Sequence, residues 1–544
     1  MRRKIICCGF VIIAFLLIFP LKQTVEKNAT YINNGDILYV GGSGPNNFTS
    51  IQDAINAAED GATIFVYDDS SPYYENIIVD KTINLIGENT ETTIINGNGN
   101  DTAIIIVKSD YVNISGFTIT SNKGDKAFTG ILLGHGLSYS HVHDIKIMRC
   151  NFFNFVDAIG CCGPSFNITI SNCKFWDSGR AIVTGEKNNY VISNCDIKAW
   201  GGIAISGSTT VLNCTFHPGK IWIHDADNNI LLNNYIFDGA IQIEYSSYNI
   251  LKNNVLQNSS LEIIGHDLRD FYHDIDTSNT MQGKPIYYLY NEKNIVFDEN
   301  NNIGYLILAL CENITVRNLE LYGAVLAFSH NNYFENCSFY GNSMGVYFHN
   351  STYNSIHKCY FENYYPLLME QSSRNNISYC AFSDFCLHNI EIWHSSNENI
   401  IMGCTLNGNG IYLGNAHNNT ISGCIILNAE CGIEIDGDNN LISFCNISDN
   451  KMGIFVNGYY NKIYSNNFID NDVNAFCYGW NIWNIKDGGN YWDNYYGFDL
   501  NKDGIGELPY HIRTDIQAIP SYMESFFNFD WRPLMHPVKT CEKI

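Results

Sequence analysis

Six residues of this chain have the types and spacing to hold a sugar: Trp222, Glu244, Glu391, Trp393, Glu434 and Asp436. Aromatic faces stack on the apolar faces of a sugar ring, and carboxylate oxygens accept from its hydroxyls. Glu434 and Asp436 stand two apart in Gly432-Ile-Glu-Ile-Asp436. On an extended strand that places two carboxyls roughly 6.5–7 Å apart, within the range of an inverting glycosidase pair. Hydrolysis by this pair is the sharp reading. The plain one is a mixed polar strand face, because such pairs are common on exposed strands.

A second constellation is Asp499-x-Asn501-x-Asp503-Gly504. Oxygen ligands at alternate positions, followed by a glycine for the sharp turn, form the first half of a calcium loop. The Ile505 carbonyl would supply the backbone ligand. Tyr510 stands where the closing bidentate Glu belongs, so Glu507 or Asp515 would have to replace it. Bound Ca2+ would pin the end of the chain, a structural role; the alternative is an ordinary Asp/Gly turn. Histidines form a third set. His141 and His143 lie near His135, and His266 and His273 accompany Asp267, Asp274 and Asp276. Copper favours imidazole and soft sulfur, but the fifteen histidines are scattered and the nine methionines form no cluster. No CxxC pair offers a zinc ribbon.

The elements that must carry these residues are set by a repeat. Cys150, Cys173, Cys195 and Cys214, then Cys337, Cys359, Cys380, Cys404, Cys424 and Cys445, recur every 19–24 residues. Asparagine takes the same place at Asn234, Asn254, Asn318 and Asn466. A drifting period near 21 marks a solenoid, and short strands between Gly and Asn turns make it a β-solenoid. A later strand of each coil reads Gly-Ile-x-Ile, as in Gly410-Ile-Tyr-Leu413 and Gly453-Ile-Phe-Val456. Period-two alternation points the two aliphatics inward and the middle residue outward. The outward residues of successive coils then align into a stripe of aromatics and acids: Trp222 with His224, Gln242 with Glu244, Tyr347 with His349, Glu391 with Trp393, Glu434 with Asp436. Parallel sulfur vectors in such a column do not converge as a disulfide requires, so free buried thiols are expected.

The 544 residues are only 16% charged and carry a net charge of −24. No basic stripe is present, which argues against nucleic acid. Arg2, Arg3 and Lys4 precede an apolar run from Ile5 to Leu21, readable as a signal peptide or an N-terminal membrane anchor. Either sends the rest of the chain out of the cytoplasm. Thirteen Asn-x-Ser/Thr sequons would then be glycosylation candidates, although so Asn-rich a chain makes many by chance.

The organisation expected is 1–22 signal or anchor, 38–80 an N-terminal cap, 81–470 the solenoid, and 471–544 a C-terminal cap with the Asp/Asn-rich loop. Thr49-Ser-Ile-Gln52 looks like a capping box opening a short helix with Ile51, Ala54, Ile55 and Ala58 on its apolar face. Roughly sixteen to eighteen coils, ~75–90 Å of rod, fit between Thr63 and Asn466 at the interstrand spacing. One coil is interrupted by an excursion that includes His266–Asp276 and Gly283-Lys-Pro-Ile-Tyr287.

Three segments carry a resemblance: Ile51-Gln-Asp-Ala-Ile55 through Ile83-Asn-Leu-Ile-Gly87, Asp276-Thr-Ser-Asn-Thr280 with Gly283-Lys-Pro-Ile-Tyr287, and the tail from Gly489-Asn-Tyr-Trp492 to Pro509-Tyr510. By them the chain resembles the NosD-like family of exported right-handed parallel β-helix proteins, common in archaea. The resemblance implies an all-β, single-stranded right-handed parallel β-helix. It also brings a copper-delivery association and a fold shared with carbohydrate-binding, sugar-hydrolase and pectate lyase domains. One fold hosts many functions. The expected function is a non-catalytic exported rod at the cell surface or envelope, binding glycans or structural. The alternatives are a polysaccharide lyase or hydrolase using the acidic stripe, and a copper-handling accessory protein.

Overall fold

The computed structural model describes residues 36–97, 103–121, 127–134, 141–186, 189–383, 388–513 and 528–539. The N-terminal apolar segment, His135, Cys386, Asp515 and Cys541 lie outside them. Among the described residues no helix is long and apolar enough to cross a membrane.

The chain winds as a right-handed parallel β-solenoid, three short strands to a coil. In one coil these are Thr420–Ser422, Ile425–Leu427 and Cys431–Asp436. Each pairs in parallel with its counterparts one coil before and after, as Ile401 with Ile421 with Ile442, and Ile411 with Ile433 with Ile454. The corners turn through left-handed residues such as Gly423, Asn428 and Asn439, a conformation Gly and Asn tolerate best. Gly410 stands where the next coil passes close: a Cβ there would come within 2.2 Å of the Cys431 carbonyl.

The ten repeating cysteines are all buried and all free thiols. Their column explains why asparagine replaces them. The Cys337 amide donates to Cys359 Sγ at 3.4 Å, and the Cys445 amide donates to Asn466 Oδ1 at 3.0 Å. Thiol and carboxamide do the same work, accepting the N–H of the coil before. Asn318 is displaced from this column. It fills the left-handed corner (φ 55°) in line with the corner residue Asn336, and Leu319 takes the inward place. A second column, Asn332-Asn354-Asn375-Asn399-Asn419-Asn440-Asn461-Asn481, bonds amide to amide along another corner. A third runs from the Cys311 amide through Ser329, Ser351, Ser372 and Ser396.

The N-terminal helix spans Ile51–Ala57, with Ile51, Ala54 and Ile55 buried. Its N-cap is Ser50, not Thr49, and Gln52 reaches across to the Ile78 backbone. Glu75, a residue with no signal in the local sequence, accepts from the Ile51 and Gln52 amides and the Ser50 hydroxyl. At the other end the winding passes Asn466. Asn490 extends the Cys/Asn column, and Tyr491–Trp492 pairs with Asn467 and Phe468.

The winding runs in two stacks rather than one. An 11-stranded ladder from Ile37–Val40 ends at Asp274–Ile275, and a separate nine-stranded ladder runs from Val296–Phe297 to Lys462–Tyr464. Between them Thr280–Met281 turns back antiparallel onto Lys284–Tyr290, which opens the second stack by pairing with Tyr305–Ala309. Each stack has its own core. Yet Ile307, Val325 and Tyr347, facing outward on the second stack, are buried in the core of the first, while Leu306, Ala324 and Val346 beside them face their own. The outer flank of the second stack is therefore seated on the end of the first. Phe271, on the short turn Leu268–Phe271, fills the seam against Phe328 and His349. His273 closes a first-stack column, its Nδ1 accepting the Asn249 amide at 3.4 Å.

Candidate functional site

Where the second stack leaves the first, two outward faces meet in a re-entrant corner. One wall belongs to the strands Lys220–His224, Ala240–Glu244 and Ser260–Ile264. Register aligns Trp222 with Gln242 and Glu262, and His224 with Glu244. The other wall belongs to Tyr360–Glu370, Ile390–Trp393, Ile411–Gly414 and Cys431–Asp436. There Leu368, Glu391, Tyr412 and Glu434 form one row, and Glu370, Trp393, Gly414 and Asp436 the next.

The faces touch at the apex. His349 Nε2 lies 3.3 Å from the His266 carbonyl, and His266 stacks on Tyr245 with ring centroids 4.3 Å apart. Burial raises the Tyr245 hydroxyl pKa, with Glu244 of its own wall and Glu370 of the opposite wall adding to it. Tyr365 is raised by burial, by Tyr364, and by Glu391 and Glu262 from the two walls together. Glu370 thus acts on Tyr245 across the apex, and Glu262 and Glu391 both act on Tyr365.

The six expected residues divide between the walls: Trp222 and Glu244 on the first, Glu391, Trp393, Glu434 and Asp436 on the second. They form two facing stripes, not a single one. Five of the six are fixed by neighbours. Gln242 donates to Glu244 Oε1 at 2.6 Å, and His224 lies 3.8 Å from its other oxygen. Trp393 Nε1 donates to Glu391 Oε2 at 2.9 Å, with His388 3.3 Å from Oε1. Tyr412 packs edge-on against Trp393 at 5.1 Å and donates to Asp436 at 3.3 Å; Asn457 donates to the other Asp436 oxygen at 2.6 Å. The Trp222 ring carries Lys220 Nζ at 5.0 Å, and its Nε1 has no acceptor.

Tyr347 and His349, expected on the exposed stripe, are only 3% and 1% accessible because the end of the first stack covers them. With Glu370 they form a network at the apex: the Tyr347 hydroxyl donates to Glu370 Oε2 at 2.7 Å and approaches His349 Nδ1 at 3.3 Å. The His349 imidazole, and after it the Tyr347 hydroxyl, hold the Glu370 carboxyl below the usual range. Glu262, Glu370, Tyr245, Tyr365 and Tyr412 join the site without having been expected there. Alternation in Leu367-Leu-Met-Glu370 marks Glu370 as outward, but the strand lacks the Gly-Ile signature.

The other constellations are placed differently. Of the first histidine set, His141 and His143 are described, and His141 Nδ1 lies 3.3 Å from the Pro164 carbonyl. His143 sits between Asp110 at 3.0 Å and Asp144 at 2.7 Å, His266 lies in the corner, and His273 is buried at a column end. Asp274 pairs with Lys252. Among the described residues no group of three His, Cys, Asp or Glu side chains could hold a metal ion. In the Asp499–Ile505 turn the side chains accept backbone amides: Asp499 from Asp503 and Gly504, Asn501 from Asp503, and Asp503 from Ile505. Glu507 uses its amide to pair with the Phe498 carbonyl.

The chain belongs to the right-handed β-helix family, whose profile matches residues 157–304 and 294–437, together more than half of it. A second profile, described as periplasmic copper-binding protein (NosD), matches residues 390–497. No curated protein matches the chain. Among solved structures it is similar to the A-module of the mannuronan C-5 epimerase AlgE6 of Azotobacter vinelandii (14% identity, 69% of this chain and 93% of that one, TM-score 0.25). It is also similar to an alginate lyase of Paenibacillus (11%, 67% and 95%, 0.25) and to DFA-IIIase of Arthrobacter chlorophenolicus (10%, 68% and 95%, 0.30). Likenesses this low carry no functional weight.

Proposed function

We propose that this protein is an exported β-helix that binds an extended glycan in the corner between its two stacks. The observation that carries the reading is the pairing on each wall: Trp222 near Glu244 on one, and Trp393 bonded to Glu391 on the other, with the walls touching at His349 and His266. A sugar chain needs both an aromatic platform and hydroxyl acceptors, and side chains already held by their neighbours lower the ordering cost of binding it. The basic N-terminus with its apolar run, and the periplasmic description of the profile matching residues 390–497, support export.

Binding without turnover is the preferred form. Glu434 and Asp436 remain the acid pair for a hydrolytic alternative. Calorimetry with a panel of oligosaccharides tests both. Trp393→Ala is expected to weaken binding at least tenfold while leaving the fold intact. Saccharide binding unchanged by Trp222→Ala and Trp393→Ala together refutes the site. Release of reducing ends, lost in Glu434→Gln and Asp436→Asn, would convert the binder to an enzyme.

A further inference from the structure

Building on the saccharide reading, we infer that the glycan of the corner carries free amino groups, and that uronic acid chains are excluded. The two walls present Glu244, Glu262, Glu370, Glu391, Glu434 and Asp436. Imidazoles stand beside three of them, His224 by Glu244, His388 by Glu391, and His349 and His394 by Glu370, whereas Glu262 accepts from the Ser260 hydroxyl and Asp436 from Tyr412 and Asn457, neutral donors that leave their charge uncompensated. Among the described residues on the strands of these walls, Lys220 is the one Lys or Arg. It already covers Trp222 and contacts Gln242 at 3.4 Å.

The corner geometry makes this charge matter. Side chains of Glu244 and Glu391 are only 17% and 16% accessible although both face outward. Part-buried charges are screened less than exposed ones, and a concave, low-dielectric wall focuses their field. A neutral sugar would occupy the aromatic platforms but leave the carboxylates without counter-charge. A uronate would add like charge at each ring. An ammonium on the ring satisfies a carboxylate with a charge-assisted bond, the stronger kind. Spacing agrees: carboxylates recur on the second wall at Glu391 and Glu434, two coils or roughly 9–10 Å apart, about the length of two sugar rings.

The test compares three probes on the full exported chain by calorimetry: oligoglucosamine with its amines charged, a neutral cello-oligosaccharide, and oligogalacturonate. Oligoglucosamine is expected to bind at least tenfold tighter than the neutral chain, with the advantage shrinking as salt rises, and oligogalacturonate not to bind. The advantage should vanish in Glu262→Gln/Glu391→Gln and persist in Glu299→Gln/Glu320→Gln, which removes two exposed charges elsewhere. Equal loss in both double variants means attraction to overall net charge and overturns the inference. So does equal or tighter binding of the neutral or uronate chain; if Trp393→Ala still abolishes that binding, the saccharide reading stands alone. No binding of any probe overturns both.

Discussion

Cysteine and asparagine share one column here because both accept an amide hydrogen from the preceding coil while donating to a carbonyl. Asn419, in the neighbouring all-asparagine column, shows what a rung carries. Its Oδ1 accepts from both the backbone and side-chain nitrogens of Asn399, and its Nδ2 donates to Asn440 and Ser396. Asn419→Ala strands two buried donors, each costing roughly 1–3 kcal/mol. Urea denaturation is expected to show a loss of about 2–5 kcal/mol; a loss below 1 would mean the column is decorative. Asp530 allows a pH test. It accepts from the Asn490 and Arg532 amides and from Trp492 Nε1, and burial pushes it up to about 6. The folded state therefore holds this proton more tightly than the unfolded chain. Its contribution is complete below about pH 4 and is lost as pH rises through about 6. Glu370, held below its ordinary range, runs the opposite way: its contribution is present at neutral pH and lost on acidification. Relative to wild type, Asp530→Asn should gain roughly 3 kcal/mol between about pH 4 and 7. A difference that does not vary with pH removes Asp530 as its source. The cysteine spacing was legible in the sequence because inward places repeat with the coil. Glu75 and Asp530 were not, since each acts on residues more than twenty positions away.

At the scale of elements, the strands and their in–out alternation followed from period-two patterning, and register then aligned Glu391 with Glu434. The excursion after Leu261 was visible as a break but not as a junction. Nothing in Thr280-Met-Gln-Gly-Lys284 announces that the strand after it turns antiparallel and opens a new stack; that outcome rests on which surfaces the seam can bury. The Asp499–Ile505 turn illustrates another limit. Its side-chain oxygens are engaged by amides, an arrangement compatible with a closed turn and with a cation added on its open side. The proposal that calcium pins this turn predicts a higher Tm with Ca2+ than with chelator, and loss of that difference in Asp499→Ala. Identical melting in both conditions returns the segment to a turn held by its own backbone.

For the whole molecule, the seam decides whether there is a site at all. Phe271 is fully buried between the stacks, stacked on His349 at 5.5 Å. Phe271→Ala should cost roughly 3–5 kcal/mol and abolish glycan binding, although Phe271 touches neither wall's tryptophan. Small-angle scattering should show a changed shape. Binding retained at wild-type strength would show that one wall suffices. Overall acidity was readable from composition, but its concentration in a concave corner was not, because that depends on how two rods join.

The columns have one more consequence. Every rung passes its hydrogen forward, so each file of amides is an arrow, and one arrow in each rod closes on a side chain outside the Cys, Ser and Asn series. In the first rod this is His273, whose Nδ1 accepts the Asn249 amide and whose imidazole burial lowers to about 4. In the second it is the Asp530 carboxylate, met by Asn490. These two side chains take the last hydrogen of their files, one in each rod.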